Sequence, residues 1–265
     1  MTTTMPQIRS ATGGAFAPFL RSWGKLTVVK GKLFLREPIA LFFNLCFPVL
    51  LLLLFGVIWG NEPDGFLSQD FGYIDMATPA LVGLIIATVA FMTIPVATAG
   101  DREQKLLRRY QVTPMRPIVY FAADVSVYFG VALVGTALLI LTAKLGFGLR
   151  FGGNWAGVLA GFTLSLLAFV SLGYIIASLA PNSRLAQIVG MVVFFPMMFL
   201  SGMAIPLMAM PPGVREFANW LPLTHVVHLL QGVWLDGAWN TLSGLILLGV
   251  LAVGAAVSTA TFRWE

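Results

Sequence analysis

The chain has 265 residues, of which 58% are hydrophobic and 10% are charged. Soluble domains are typically about 45–50% apolar and about 25% charged, and a soluble fold of this size could not bury so much apolar surface. The formal net charge of +5 does not indicate nucleic-acid binding, since the basic residues lie in short segments between apolar runs. Cys46 is the only cysteine, which rules out an intrachain disulfide and a cysteine-rich metal site.

The composition predicts an all-α integral membrane protein with one membrane domain, because lipid can cover the outer faces of apolar helices. Residues 1–18 are rich in Thr, Gly and Ala and are expected to form a disordered tail, followed by a single transmembrane domain at residues 19–265. No secretory signal peptide is visible, since the first long apolar run starts only near Ile39, behind a basic stretch.

Residues 19–36 have the pattern of an amphipathic helix ahead of the first apolar run. At 100° per residue, four basic residues fall within about 60° of one another, and Lys30 breaks the apolar side. This pattern predicts a helix along the inner membrane surface, with its basic side toward lipid phosphates or a cytoplasmic partner. A juxtamembrane anchor without a partner is the alternative. The four basic residues are Arg21, Lys25, Lys32 and Arg36.

Six apolar stretches are long enough to cross a membrane, which takes about 20 residues of helix. Pro48, Pro95 and Pro196 lie inside the first, second and fifth of them and predict kinks. The predicted spans are residues 39–59, 78–99, 118–143, 155–180, 186–205 and 238–261.

The distribution of Lys and Arg predicts the orientation of the chain in a plasma (inner) membrane. With both termini in the cytoplasm, 13 of the 16 basic residues lie on the inner side, and only Lys144, Arg150 and Arg215 lie outside. Cytoplasmic loops carry the excess of basic residues in membrane proteins. The sequence therefore predicts a multi-pass protein with cytoplasmic N- and C-termini.

The most polar segment, residues 100–117, lies between the second and third spans. Asp101 is placed to cap a short charged helix, residues 102–111, that ends before Pro114. Both signs of charge and a few apolar residues suit docking into a groove on another protein, and a solvated loop is an equally good interpretation. The candidate docking residues are Asp101, Arg102, Glu103, Lys105, Leu106 and Arg109.

The outer segment between the fifth and sixth spans is too polar to cross the membrane. It is rich in proline and tryptophan, and residues 214–220 and 224–235 are predicted to form two short helices, a re-entrant hairpin in the outer leaflet. His225 and His228 could hold a metal, although no Cys or carboxylate stands at ligand spacing, so polar packing is the favoured interpretation.

Two other features could carry function. Asp124 lies in the third apolar run, where it either reaches the interface, pairs with a basic residue such as Arg116, or acts in transport. Aromatic and methionine side chains suit adaptable contacts with apolar ligands, although ordinary packing accounts for most of them. The candidate residues of a substrate path are Phe43, Phe47, Phe91, Phe195, Met198 and Phe199.

Three local motifs in this order resemble those of the ABC type-2 exporter permeases, which include drug, polyketide and polysaccharide exporters. They are the DRE triplet at residues 101–103 with Thr113-Pro114 after it, the SLAPNSRLA turn at residues 178–186, and LSG at residues 200–202 followed by LPLT at residues 221–224. The resemblance covers nearly the whole chain. This chain has Gln104-Lys105 where the family often has Gly-Thr.

The resemblance implies the permease subunit of an ATP-driven exporter. Two permeases, identical or paralogous, would form the pore, and two separate ATP-binding subunits with ATP and Mg would contact helices 19–36 and 102–111. An apolar or amphipathic substrate (drug, lipid-like metabolite or glycolipid) would pass between the first and fifth spans of opposite copies. The P-loop pattern G-x-x-x-x-G-K-[ST] is absent from this sequence, so the chain itself is expected to bind no cofactor and to act as a transport subunit rather than as an enzyme.

A proton-coupled secondary transporter is the alternative function. It would need carboxylates or histidines at mid-membrane and often internal repeats. Asp124 is the one candidate, near one edge of its span. The sequence therefore favours the exporter.

Overall fold

The computed structural model describes residues 16–63, 70–106, 117–203 and 210–261. All regular structure within these ranges is helical. Helix α1 is Phe16–Phe34, and the spans that follow are α2 (Pro38–Trp59), α3 (Tyr73–Glu103), α4 (Pro117–Phe147), α5 (Trp155–Leu179), α6 (Ser183–Leu200) and α9 (Thr241–Thr261). Two short helices, α7 (Pro212–Ala218) and α8 (Pro222–Gln231), lie before α9.

The six predicted spans are confirmed, since the described ranges hold six helices long and apolar enough to cross a membrane. The main difference is the second span, which starts five residues earlier than predicted and runs four residues further, to Glu103. The short helices α7 and α8 occur where two were expected, and their re-entrant position stays a prediction. The predicted tail lies mostly outside the described residues, and α1 begins at Phe16.

Helix α3 is the centre of the bundle. It packs against α2, α4, α5, α6 and α8, and 78% of its most apolar stretch is buried, against 17% for α6 and 22% for α2. Helix α8 is also buried, with Val226 and Leu229 fully enclosed. The apolar surfaces of α2 and α6 are therefore left for lipid or for another protein.

At the end of the bundle opposite α1, one buried carboxylate joins the connection before α3 to the connection after α4. Asp75, near the start of α3, accepts hydrogen bonds from the backbone N–H groups of Gly72 (3.0 Å) and Arg150 (2.8 Å), and from Nδ2 of Asn61 (2.9 Å). Asn61 in turn donates to the carbonyl oxygen of Phe147 and accepts from the N–H of Asp75. These bonds satisfy backbone groups that would otherwise be buried unpaired where two connections meet.

Two helices contain a wide π turn just before a proline: Phe42–Cys46 in α2 and Val89–Thr93 in α3. Pro48 and Pro95 have no N–H, so they cannot donate to the carbonyl oxygens four residues earlier, on Asn44 and Phe91. Such turns are frequent where helices are functional or strained. The two π turns lie at two of the three prolines for which the sequence predicts kinks.

Glycines of neighbouring helices cover these carbonyl groups. A Cβ at Gly190 in α6 would lie 2.0 Å from the Phe91 oxygen, and a Cβ at Gly135 in α4 would lie 2.9 Å from the Asn44 oxygen. Gly173 in α5 is as close to the Ala90 oxygen, at 2.3 Å. Because only a hydrogen fits there, these glycines allow the helix backbones to touch.

We predict that Gly190→Ala destabilises the protein. The new methyl group meets a backbone oxygen that cannot move aside, so α6 must shift from α3, at a cost of about 1–3 kcal/mol for overpacking. Thermal unfolding in detergent should show a lower midpoint. Gly249→Ala in α9 is the control, since nothing lies within 4 Å of its Cβ position; equal midpoints for the two variants would contradict the close contact.

Candidate functional site

A cluster of charged and phenolic side chains joins α1 to the spans. Lys30 of α1 forms ion pairs with Asp101 of α3, at 3.2 Å between Nζ and Oδ2, and with Asp124 of α4. Tyr120 donates to Asp101 (2.8 Å) and Tyr174 donates to Asp124 (3.3 Å). We call these five residues the charged junction, and it links α1, α3, α4 and α5.

The junction is largely shielded from water. The side chain of Asp124 is 3% exposed and that of Lys30 is 12% exposed, and Lys30 Nζ lies 3.7 Å from the centre of the Tyr120 ring. Charges in such surroundings stabilise a protein only while they are paired, because removing one partner leaves the other buried and uncompensated. The position of α1 is therefore tied to the charges of α3 and α4.

The rest of α1 explains why Lys30 faces inward. Leu26 and Phe34, one turn before and after Lys30, are buried, and Trp23 Nε1 donates to Ser126 Oγ of α4. Lys30 therefore belongs to the side of α1 that packs on the bundle. It interrupts the apolar pattern of that side because it pairs with two carboxylates, those of Asp101 and Asp124. Of the alternatives for Asp124, pairing is the one observed, with Lys30 as the partner; Arg116 lies outside the described residues.

The predicted docking residues surround the end of α3. The N-cap role assigned to Asp101 is wrong, because α3 continues through it to Glu103 and its carboxylate binds Lys30 and Tyr120. The chain turns at Gln104 and Lys105, where Lys105 has φ +56°. The predicted helix 102–111 does not begin at Arg102, which belongs to α3, and residues 107–116, Arg109 among them, lie outside the described ranges.

Side-chain contacts separate the docking candidates further. Arg102 donates to the carbonyl oxygens of Ala177 (3.0 Å) and Ala180 (2.9 Å), so it caps the end of α5. Glu103 is exposed and accepts from Ser183 Oγ. Lys105 is exposed and Leu106 half-buried, so the turn presents both charge and apolar surface. The four basic residues predicted for the amphipathic helix are also exposed, although α1 ends at Phe34 and Arg36 lies beyond it: Arg21, Lys25, Lys32 and Arg36.

A cavity of about 420 Å³ lies between α2, α3 and α6, beside the π turns. Its walls include Phe43, Met92 and Met191, and also Asn44 and Thr93. A second cavity of about 270 Å³ shares part of its lining and is bounded by Lys30, Asp101 and Glu37. Burial and the negative charge of Asp101 raise the pKa of Glu37. A cavity with a mixed lining, to which Arg36, Glu37 and Gln187 also contribute, thus adjoins the charged junction.

The predicted path residues are only partly brought together. Phe43 lines the larger cavity and its ring contacts Phe47, with centroids 5.7 Å apart. Phe91 is buried against Phe169 in the core. The α6 residues are on the outer surface, with Phe195 45% and Phe199 50% exposed and Met198 half-buried.

The sequence interpretation missed Asn44 and Thr93, which join the two π turns. Asn44 Nδ2 donates to Thr93 Oγ1 at 2.9 Å and to the Ala40 carbonyl oxygen at 2.7 Å. A lone asparagine inside an apolar run was the available signal, since polar groups in a membrane helix usually face protein or a cavity.

Within the described part of the chain, His225 and His228 belong to no group of three or more His, Cys, Asp or Glu residues that could hold a metal ion. His225 Nε2 lies 3.0 Å from the Asn219 carbonyl oxygen and Nδ1 lies 3.3 Å from Ser243 Oγ. Because a carbonyl oxygen only accepts, Nε2 is the donor. Burial lowers the pKa of both His225 and His228, and it thereby favours the neutral imidazoles.

Comparison with known proteins shows which family this sequence belongs to. The sequence profile described as "ABC-2 type transporter" matches residues 26–235, a stretch that includes the charged junction, both π turns and helix α8. The chain belongs to the ABC-2 type transporter family. It is therefore the transmembrane subunit of an ABC transporter, and a multi-pass inner membrane protein. Members of this family are transport components rather than catalytic enzymes. They work with a separate ATP-binding subunit.

Named relatives agree with the family. Nodulation protein J of Bradyrhizobium diazoefficiens is 32% identical over 250 residues, which cover 91% of this chain and 88% of that protein. The inner membrane transport permease YhhJ of Escherichia coli K12 is 27% identical over 206 residues, 75% of this chain and 55% of YhhJ. The E. coli K12 protein named "Probable multidrug ABC transporter permease YbhR" is 24% identical over 203 residues, 74% of this chain and 54% of YbhR. The chain thus spans about half the length of the two E. coli permeases.

We predict that Lys30→Met destabilises this ABC-2 permease strongly. Two carboxylates then lie next to each other without their cation, and breaking a buried ion pair costs about 3–5 kcal/mol. The measurement is the midpoint of thermal unfolding in detergent. Lys32→Met, on the exposed side of the same helix, should leave the midpoint within about 1 °C of wild type, because surface changes cost under about 0.5 kcal/mol. A similar small change in both variants would contradict the structural role of Lys30.

Proposed function

We propose that this chain is the permease of an ATP-driven exporter that moves an apolar or amphipathic molecule, such as a drug, a lipid-like metabolite or a glycolipid, out of the cell. The observation that supports this most directly is the exposed turn at Glu103–Leu106, which lies next to the charged junction and the adjoining cavities. A partner that pushes on this turn would act on α1, α3 and the cavity walls together.

The orientation that this function requires has N- and C-termini in the cytoplasm. Lys25, Lys32 and Lys105 are exposed at the end of the bundle that holds the charged junction, while Lys144 and Arg150 lie at the other end. The excess of basic residues at the first end favours its placement in the cytoplasm. ATP and Mg would then be bound by the separate subunit on that side, as the absence of a P-loop in this sequence also suggests.

A second permease copy, identical or paralogous, would complete the pore. Helices α2 and α6 expose large apolar side chains, among them Leu54 and Val57 on α2 and Val192 and Phe195 on α6. The larger cavity lies between these same two helices. Pairing across α2 and α6 would place Phe195 and Phe199 along a path shared by both copies.

The charged junction weighs against the proton-coupled alternative. Asp124 is already paired with Lys30, and it lies at the α1 end of its span beside Tyr120. A carboxylate that relays protons across a membrane would be expected near the middle of the bundle. The names of the relatives also favour ABC transport, since one E. coli K12 protein is named "Probable multidrug ABC transporter permease YbhR".

We predict that Glu103→Arg and Lys105→Glu weaken the binding of an ATP-binding subunit. Both side chains are exposed at the proposed docking turn, so reversed charge meets like charge on the partner and should reduce recovery roughly tenfold. The assay is purification of the tagged permease in mild detergent, with the partner identified by its P-loop sequence and by Mg-dependent ATP hydrolysis. Arg102 is unsuitable for this test because it caps α5.

Lys144→Glu is the matched control, since Lys144 is exposed at the opposite end of the bundle. It should leave recovery unchanged. If folded wild-type protein recovers no ATP-binding subunit, the exporter proposal fails, and proton flux in vesicles would then support the secondary transporter. Equal recovery with all three variants would contradict the docking position.

A further inference from the structure

Asn44 is a fully buried polar side chain on the wall of the larger cavity. It is 0% exposed, and it lies within the π turn of α2, opposite the π turn of α3. Its two amide hydrogens are used by the Ala40 carbonyl oxygen and by Thr93 Oγ1. Because a carbonyl oxygen cannot donate, the bond to Ala40 fixes which end of the amide is nitrogen.

The other end of the amide is left without a bond. Asn44 Oδ1 is buried and has no hydrogen-bond partner among the described residues. The Thr93 hydroxyl oxygen lies at the other end of the amide, where it accepts from Asn44 Nδ2 at 2.9 Å. Buried acceptors are nearly always paired, and an unpaired one favours any ligand that brings a donor.

The surroundings of Asn44 indicate the rest of such a ligand. Phe43, Met92 and Met191 line the same cavity, and aromatic and thioether groups adapt to apolar shapes. The cavity volume of about 420 Å³ lies within the range of small-molecule sites, which are mostly apolar with a few polar groups that set orientation. Asn44 is itself one of the lining residues, so a ligand in this cavity lies beside its amide group.

We infer that Asn44 Oδ1 is a specificity determinant of the transport cavity, which selects amphipathic molecules with an aromatic or apolar body and an N–H or O–H donor. This inference rests on the proposed exporter function. Asn44 accepts the donor, the Phe43 and methionine side chains hold the apolar body, and the hydrogen bond to the Ala40 carbonyl oxygen keeps the amide oriented.

Two dyes of the same charge test the inference. Rhodamine 6G carries secondary amines with N–H donors, and tetramethylrhodamine ethyl ester carries tertiary amines with none. Dissociation constants are measured by fluorescence anisotropy with the purified full-length chain in lipid nanodiscs, after subtraction of empty nanodiscs. Rhodamine 6G should bind roughly tenfold more tightly to wild type, the ratio expected for one hydrogen bond.

Two variants test whether the preference for rhodamine 6G depends on Asn44. Asn44→Leu should bring the ratio of the two dissociation constants close to one, because the acceptor is gone. Thr93→Val removes the same bond between the π turns but keeps Oδ1, so it should retain the preference. This pair separates the acceptor from a general effect on packing, and the wild-type ratio is informative even if Asn44→Leu does not fold.

Three results would overturn the inference: equal affinities for the two dyes in wild type, a preference that persists in Asn44→Leu, or binding of neither dye. Each of these results can be distinguished from failure of the proposed exporter function, because that function is tested separately, by recovery of the ATP-binding subunit. Wild type that recovers this subunit but shows no donor preference would retain the exporter function without the role of Asn44.

Discussion

The ion pairs of Lys30 are the constraint on which the arrangement of this permease depends. Lys30 lies on the side of α1 that packs on the bundle, and it faces Asp101 of α3 and Asp124 of α4 at a place largely closed to water. Buried charges of this kind contribute little net stability but are costly to separate. They therefore fix one position of α1 and make its movement inseparable from that of α3, the central helix of the bundle.

The π turns provide a second constraint within the same helices. Pro48 and Pro95 leave carbonyl oxygens without their usual donors, and Gly135 and Gly190 let neighbouring helices close over them. The contact between the two turns passes through Asn44 and Thr93, on the wall of the larger cavity. Packed interfaces shift between discrete arrangements rather than deform continuously. A displacement of α1 or of the end of α3 would therefore also move the residues that line the cavity.

The sequence predicted the number, type and approximate limits of the spans because twenty-residue apolar runs have few alternatives in a membrane. It could not predict the partner of Asp124, since Lys30 is 94 residues away in the chain. In the sequence, Lys30 is visible only as a charged residue that interrupts an apolar pattern. It also placed the start of a new helix at Asp101, because local capping signals do not show that a carboxylate is held by a distant lysine. Asn44 was overlooked because its importance comes from contacts with α3 and the cavity rather than from a motif.

A double-mutant cycle on Lys30 and Asp124 tests the central constraint most directly. Free energies of unfolding are measured by titration with a denaturing detergent for wild type, Lys30→Met, Asp124→Leu and the double variant. Each single change should be destabilising, and the double variant should be more stable than the sum of the two predicts, by about 1.5 kcal/mol or more. Effects that add to within about 0.5 kcal/mol would show that the two residues act independently and would contradict the account.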